Sequence, residues 1–239
     1  MKISVVVPFY NEEGNIDFVL DEIAQVLQGT GYPFEIIAVD DASRDQTPLR
    51  LQAASVRIAE LRVVTHARNA GQSAALWSGF EAVTGDVVVT TDGDRQNDFH
   101  DVPRMLTLLG DHGAVFGQRA RRHDPVSKLV ATRLAYHVRH FFLRDGVRDT
   151  ACALKVLRKD ALKYLIPVDG FLRFIPFLLK EAGVSFATVD VNHRSRSAGG
   201  SKYSLLKLYF IPVIADLLFM IWYRQRNVFC RRKKLLSRG

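Results

Sequence analysis

The sequence predicts an α/β fold, a mostly parallel sheet flanked by helices, and three observations carry that prediction. Short apolar, β-branched runs alternate with amphipathic segments in regular order through the first half of the chain. Each run ends in a polar loop, the pattern of strands buried on both faces of a parallel sheet. Val87-Val88-Val89-Thr90-Thr91 runs straight into Asp92-Gly93-Asp94-Arg95-Gln96, so a buried strand end delivers clustered oxygen ligands to the rim where such sheets bind their ligands.

The elements follow in order. Ile3-Ser4-Val5-Val6-Val7 is the first strand, ended by Pro8 and the loop Tyr10 to Asn15. Ile16, Val19, Leu20, Ile23, Val26 and Leu27 then recur at three-four spacing, an amphipathic helix stopped by Gly29, Gly31 and Pro33. Phe34 to Val39 is a second strand, running into Asp40-Asp41-Ala42-Ser43-Arg44-Asp45. Thr47-Pro48 opens a helix, with proline at a tolerated first-turn position. Leu61 to Val64 is a third strand, and Gln72 to about Val83 a helix of small residues. After the fourth strand, Pro103 to Leu109 reads as a helix and Ala114 to Gly117 as a strand. Lys155-Val156 enters a further strand, and Val184 to Val191 another.

Because strands and helices alternate, the polar loops Phe9 to Asn15, Asp40 to Asp45 and Asp92 to Asp98 should gather along one rim. Carboxylates one residue apart, with an amide beyond, suit a hard divalent cation holding phosphates. Taken alone, Asp92-Gly93-Asp94 reads more readily as a polar turn, and Asp40-Asp41 equally well as a helix-capping turn. Lys128 and Thr132 lie four apart on a helix-like segment with Arg119 and Arg133 nearby. Cations plus a hydroxyl at that spacing suit a phosphate monoester, or else form a solvated basic face.

The 239 residues are 48% hydrophobic and 24% charged, which suits one sizeable globular domain and excludes a disordered chain. Lys and Arg exceed Asp and Glu by 33 to 25, giving +8 and pointing to an anionic partner. Nucleic acid is not expected, since basic-aromatic interleaving, helix-turn-helix and zinc signatures are missing from the sequence. Two cysteines, Cys152 and Cys230, make neither a disulfide framework nor a thiolate metal site, so a reducing compartment is expected. Met1 leads directly into the first strand, so no secretory leader is expected.

The C-terminal part differs in kind. From Leu208 to Tyr223 there are 16 mostly apolar residues containing Asp216, and Arg224 to Gly239 carries seven cations and no acid. A spanning helix wants about 20 apolar residues. A terminal Trp222-Tyr223 and a polybasic tail are features of interfacial anchoring, so residues 203–239 are expected to lie on, or dip into, an anionic cytoplasmic leaflet. The catalytic unit is then 1–202.

Four motifs in order, Val7-Pro8-Phe9-Tyr10-Asn11-Glu12-Glu13, Val39-Asp40-Asp41-Ala42-Ser43-Arg44-Asp45, Asn69-Ala70-Gly71-Gln72 and Asp92-Gly93-Asp94-Arg95-Gln96-Asn97, resemble glycosyltransferase family 2 with its GT-A type, Rossmann-like fold. Arg148-Asp149-Thr150-Ala151-Cys152 and Asn192-His193-Arg194 through Gly200-Ser201-Lys202-Tyr203 resemble its polyprenyl-phosphate branch. The resemblance implies a nucleotide-diphosphate sugar bound by Pro8, Tyr10, Glu12, Asp40, Asp41, Asn69, Gln72, Asp92 and Gly93, with Arg194, Arg196 and Lys202 closing over the diphosphate. Asp41 is the expected base-edge acceptor, and Arg68 faces the nucleotide beside Asn69. Mg²⁺ or Mn²⁺ would be held by Asp92, Asp94 and Gln96. Polyprenyl phosphate would meet Arg119, Lys128, Thr132 and Arg133, beside a membrane surface and in reach of a membrane protein partner. Arg95 and Tyr136 depart from the usual pattern of the family.

A lipid monophosphate has a second pKa near ~6 and needs no base to attack. In-line attack on the anomeric carbon with inversion is therefore expected, with Asp94 and Asp149 as the catalytic carboxylates and Arg148 as the cation beside Asp149. A sugar-hydroxyl acceptor and a non-catalytic nucleotide-binding membrane subunit are the alternatives.

Overall fold

The computed structural model describes residues 1–120, 138–194 and 207–226. Seven strands form one sheet in the order β3-β2-β1-β4-β6-β5-β7: β1 (Ile3–Phe9), β2 (Phe34–Asp40), β3 (Leu61–Thr65), β4 (Val87–Thr90), β5 (Ala114–Arg119), β6 (Lys155–Arg158) and β7 (Phe186–Val191). β1 to β4 run parallel, β5 pairs parallel with β7, and β6 alone is antiparallel to both its neighbours, β4 and β5. The mostly parallel sheet is thus observed.

Apolar runs fill both faces. Along β1, Ile3, Val5, Val7 and Phe9 face a core with α1 (Ile16–Gln28), α2 (Thr47–Arg57) and α4 (Val102–Leu109). Val6, from the same strand, faces the other core with α3 (Gln72–Ala82), α5 (Ile175–Glu181) and α6 (Lys207–Arg226). Strands buried on both sides leave no polar face to alternate with, which is why the run reads as continuous Val and Ile. α3 comes so close that a Cβ at Gly79 would lie 2.2 Å from Val6 Cγ1.

The last strand starts two residues later than the sequence suggests. Gly183 turns the chain with φ +76°, and the Val184 amide donates to the Leu179 carbonyl at 2.9 Å, so Val184 closes α5 instead of entering the sheet. α6 is a continuous helix through Pro212. Its Leu217 and Met220 join the core on the α3–α5 face, and Leu218, Phe219 and Trp222 are exposed. Among the described residues no helix is long and apolar enough to cross a membrane.

Candidate active site

The loops after β1, β2 and β4 do gather on the carboxyl rim, and the first two are stitched together. The Asn11 amide donates to Ser43 Oγ at 2.9 Å while the Arg44 amide donates to Asn11 Oδ1 at 2.8 Å. The Glu12 amide donates to Thr47 Oγ1 at 2.9 Å, and the Gln46 amide to Glu13 Oε2 at 2.8 Å. Pro8 and Tyr10 flank this seam, each partly buried. Glu12 Oε2 accepts from Asn15 Nδ2 at 2.6 Å.

The paired acids after β2 have different surroundings. Asp41 is buried and filled by the loop before α3: its Oδ1 accepts from Ala70 N at 2.8 Å and lies 2.7 Å from His66 Nδ1, and its Oδ2 accepts from Gly71 N at 2.8 Å. His66 Nε2 meets Ser78 Oγ at 2.9 Å, so the imidazole ties β3 to α3. Asp40 uses Oδ1 on the Ser43 amide at 3.1 Å, whereas its Oδ2 is buried without a hydrogen-bond partner among the described residues. A buried acceptor left open is costly unless a ligand fills it. Arg68 and Asn69 stand exposed on the adjoining loop.

At the end of β4, Gly93 separates the two carboxylates. A Cβ there would lie 2.5 Å from the Phe9 ring and 2.9 Å from the Pro8 carbonyl, so the loop can pass over the end of β1 only as glycine. Gln72 Nε2, at the start of α3, donates to Asp92 Oδ1 at 2.7 Å, bringing two predicted site residues together. Asp94 Oδ1 accepts from the Gln96 amide at 3.1 Å. Burial and the Asp94 carboxylate push Asp92 up to about 7, against the pull of Lys155 and Arg119. Two acids that repel one another, with the side-chain carbonyl oxygen of Gln96 two residues on, are a ligand set of the chemistry a hard divalent cation takes.

Arg95, the residue that departs from the pattern, adopts φ +66° and lays its guanidinium 3.8 Å from the centre of the Phe18 ring on α1. It turns away from the carboxylates and pins the loop to α1.

On the far side of β4, Arg119 at the end of β5 grips Asp149 bidentately, Nε to Oδ2 at 2.6 Å and Nη2 to Oδ1 at 2.9 Å. Arg148, expected beside Asp149, instead donates to Gln118 Oε1 at 2.7 Å and pairs with Asp190 at 3.2 Å. Successive residues of an extended loop point to opposite sides, which sends the two apart. The loop itself is braced by Arg139, which donates to the Val147 carbonyl at 2.6 Å, to Thr150 Oγ1, and pairs with buried Asp145 at 3.2 Å.

Arg194 also differs from expectation. Its Nη2 bonds Glu22 Oε1 at 2.6 Å and Asp98 Oδ1 at 2.7 Å, and its amide donates to the Gln96 carbonyl at 2.8 Å. Glu22, Asp98 and His100 form the tight group of acidic and imidazole ligands found among the described residues. The Arg194 cation already sits on both its carboxylates, so this cluster is a latch between α1, the Asp92 loop and the segment after β7. Glu22 and Asp98 lie 76 residues apart in sequence, and no local spacing signals the pairing. His66, Arg139 and Lys155 escaped sequence reading too, each acting through tertiary contacts. Lys128, Thr132, Arg133, Tyr136, Arg196, Lys202 and residues 227–239 of the basic tail lie outside the described residues.

Residues 4–166 match the family model described as Glycosyl transferase family 2. The chain is 33% identical over 218 residues to an undecaprenyl-phosphate 4-deoxy-4-formamido-L-arabinose transferase of Pectobacterium carotovorum, an alignment covering 90% of this chain and 66% of that protein. The chain thus spans just under two thirds of that relative's length. In structure it is similar to glucosyl-3-phosphoglycerate synthase from Mycobacterium tuberculosis in complex with UDP, with a TM-score of 0.69 and 25% identity over 92% of this chain and 80% of that one. The same enzyme with Mn²⁺, UDP and phosphoglyceric acid superposes with a TM-score of 0.65 at 26% identity, over 83% and 72% of the two chains.

Proposed function

The chain belongs to glycosyl transferase family 2, and from that premise we propose that it moves a sugar from a nucleotide diphosphate onto a polyprenyl phosphate at the cytoplasmic face of a membrane. The observation that carries the reading is the pairing, across β4 and its neighbours, of an acidic site (Asp92, Asp94) with a guanidinium, Arg119, held in place by Asp149. The first suits a metal-bound diphosphate and the second a phosphate nucleophile. Relatives named for transfer to undecaprenyl phosphate, at 33% identity over most of this chain, support the same acceptor.

In this reading Asp40, buried with its Oδ2 unpaired among the described residues, underlies the base pocket, and Tyr10 offers its ring to the base. Asp41, filled by Ala70 and Gly71, shapes the pocket wall. Pro8, Glu12, Asn69 and Gln72 complete the donor pocket, with Gly93 giving the diphosphate room. Mg²⁺ or Mn²⁺ on Asp92, Asp94 and Gln96 would neutralise charge on the departing nucleoside diphosphate. A structural neighbour in complex with Mn²⁺ and UDP supports both ligands.

Arg119 holds the acceptor phosphate with Lys128, Thr132 and Arg133, while Arg196 and Lys202 reach the donor diphosphate. The acceptor arrives as a dianion, so the site orients it for attack with inversion and withdraws no proton. Asp149 serves by aiming the Arg119 guanidinium. Its own charge is offset by that bidentate pair, which removes the objection of placing an anion beside an anionic nucleophile. The exposed Leu218, Phe219 and Trp222 of α6, with Arg224 and Arg226 beyond, lie against an anionic leaflet, and residues 203–239 serve this attachment. The same face offers a membrane protein partner its docking side.

A second reading has one supporting observation: the phosphoglyceric acid complex among structural neighbours favours a soluble acceptor hydroxyl. Incubation of the protein with labelled nucleotide sugars, Mn²⁺ and either polyprenyl phosphate or phosphoglycerate separates the two. Organic-extractable label is the expected result; label found only in water-soluble product overturns the lipid acceptor.

A further inference from the structure

We propose that Lys155 is a positioning residue: its buried ammonium clamps the turn after Asp149 and so fixes the Arg119–Asp149 pair relative to Asp92. The inference rests on the transferase reading for its kinetic consequence, and on geometry alone for the clamp.

Lys155 is 1% exposed, in the middle of the sheet. It lies opposite Thr90 of β4 on one side and Phe116 of β5 on the other, the two strands whose ends carry the acidic site and Arg119. Its Nζ donates to the Thr150 carbonyl at 3.3 Å and to the Cys152 carbonyl. Two neighbouring strands complete the hold on this turn: Thr90 Oγ1 donates to the Ala153 carbonyl at 2.6 Å, and Gly117 N to the Leu154 carbonyl at 3.0 Å. The four carbonyls from 150 to 154 that receive these bonds are thereby fixed to β4, β5 and β6 at once.

An ammonium in this place is costly, and an apolar side chain of similar volume would fill the slot more cheaply. Lysine supplies two things that a methionine cannot. It gives N–H donors to carbonyls that turn inward, and its charge strengthens those hydrogen bonds. Burial pushes its own proton affinity down. The turn after Asp149 is thus built around one internal cation. Misplacing an orienting group by about 1 Å can cost about 100-fold in rate.

The test compares Lys155→Met and Lys155→Arg with the unsubstituted protein. Hydrogen exchange read by mass spectrometry should rise in peptides covering 147–154 in Lys155→Met and stay unchanged over 34–45. Steady-state kinetics should show a loss in kcat/KM for the polyprenyl phosphate of about 10-fold or more, with donor KM altered by less than about 2-fold. Lys155→Arg, of nearly equal volume and still a charged donor, should recover most of the loss. Should Lys155→Met fail to fold, Lys155→Gln, a neutral donor, takes its place with the same expected pattern. Unchanged exchange over 147–154, or equal losses for donor and acceptor, overturns the proposal. Absence of any sugar transfer by the unsubstituted protein instead overturns the transferase reading, and the exchange measurement still decides the clamp.

Discussion

Asp92 holds its proton up to about 7, well above its ordinary 3.8, because it is recessed and faces Asp94. A carboxyl raised in the folded state favours the folded protein while protonated, so its contribution is lost as pH rises from about 4 to about 7. A divalent cation must displace that proton. Mn²⁺ binding measured by calorimetry should therefore release close to one proton near pH 6 and none near pH 8, with affinity falling up to about tenfold per unit below neutrality. Asp94→Asn removes the repulsion and should reduce that proton release only in part, because burial, the larger cause, remains. Gly93→Ala should cost about 1–3 kcal/mol in thermal or urea unfolding, because the Pro8 carbonyl backbone cannot yield to the new methyl. At this scale the sequence was informative about which acids meet at the rim and silent about their partners. Asp92, Asp94 and Gln72 could be read from spacing and resemblance. That Asp41 closes on Ala70 and Gly71 while Asp40 keeps an open oxygen depends on loop conformation, as does the stacking of Arg95 on Phe18.

Between elements, the latch of Arg194 on Glu22 and Asp98 joins α1, the loop after β4 and the exit of β7. Arg194→Gln keeps a donor and loses the charge. It should lower stability by about 1–3 kcal/mol, read as a shift in the denaturation midpoint, because two carboxylates are left facing one another. The helices were legible because α1 repeats its apolar residues at three-four spacing, and the strands because β1, β2 and β4 are short runs rich in Val and Ile. The direction of β6 was not legible: a four-residue strand pairs equally well either way, and only the chain's route from β5 reverses it. Lys155 within that run is the exception to the rule that lysine stays at the surface, and no local pattern announces where its ammonium ends.

For the whole molecule, the sheet has two ends with opposite duties. The carboxyl rim carries the acids that await ligands, and the amino end is closed by Glu35, which gathers Ser4 Oγ at 2.6 Å, the Thr84 amide at 2.7 Å and Lys2 at 3.3 Å. Burial would raise Glu35, but the hydrogen bonds from Ser4, Thr84 and Lys2 hold it down at about 2. A depressed carboxylate stabilises the fold above its unfolded value of 4.5, and that stability is lost as pH falls from there toward 2. Glu35→Gln should therefore reduce stability at neutral pH by about 1–3 kcal/mol and flatten the acid limb of the stability profile. This end of the molecule should leave transfer untouched, whereas the rim decides it. The most direct measurement is metal-dependent transfer of labelled sugar to polyprenyl phosphate by the unsubstituted protein and by Asp94→Ala, with folding checked by circular dichroism. The expected result is organic-extractable product from the former and its loss, by about 100-fold or more, in a folded Asp94→Ala. Full transfer by Asp94→Ala would contradict the account.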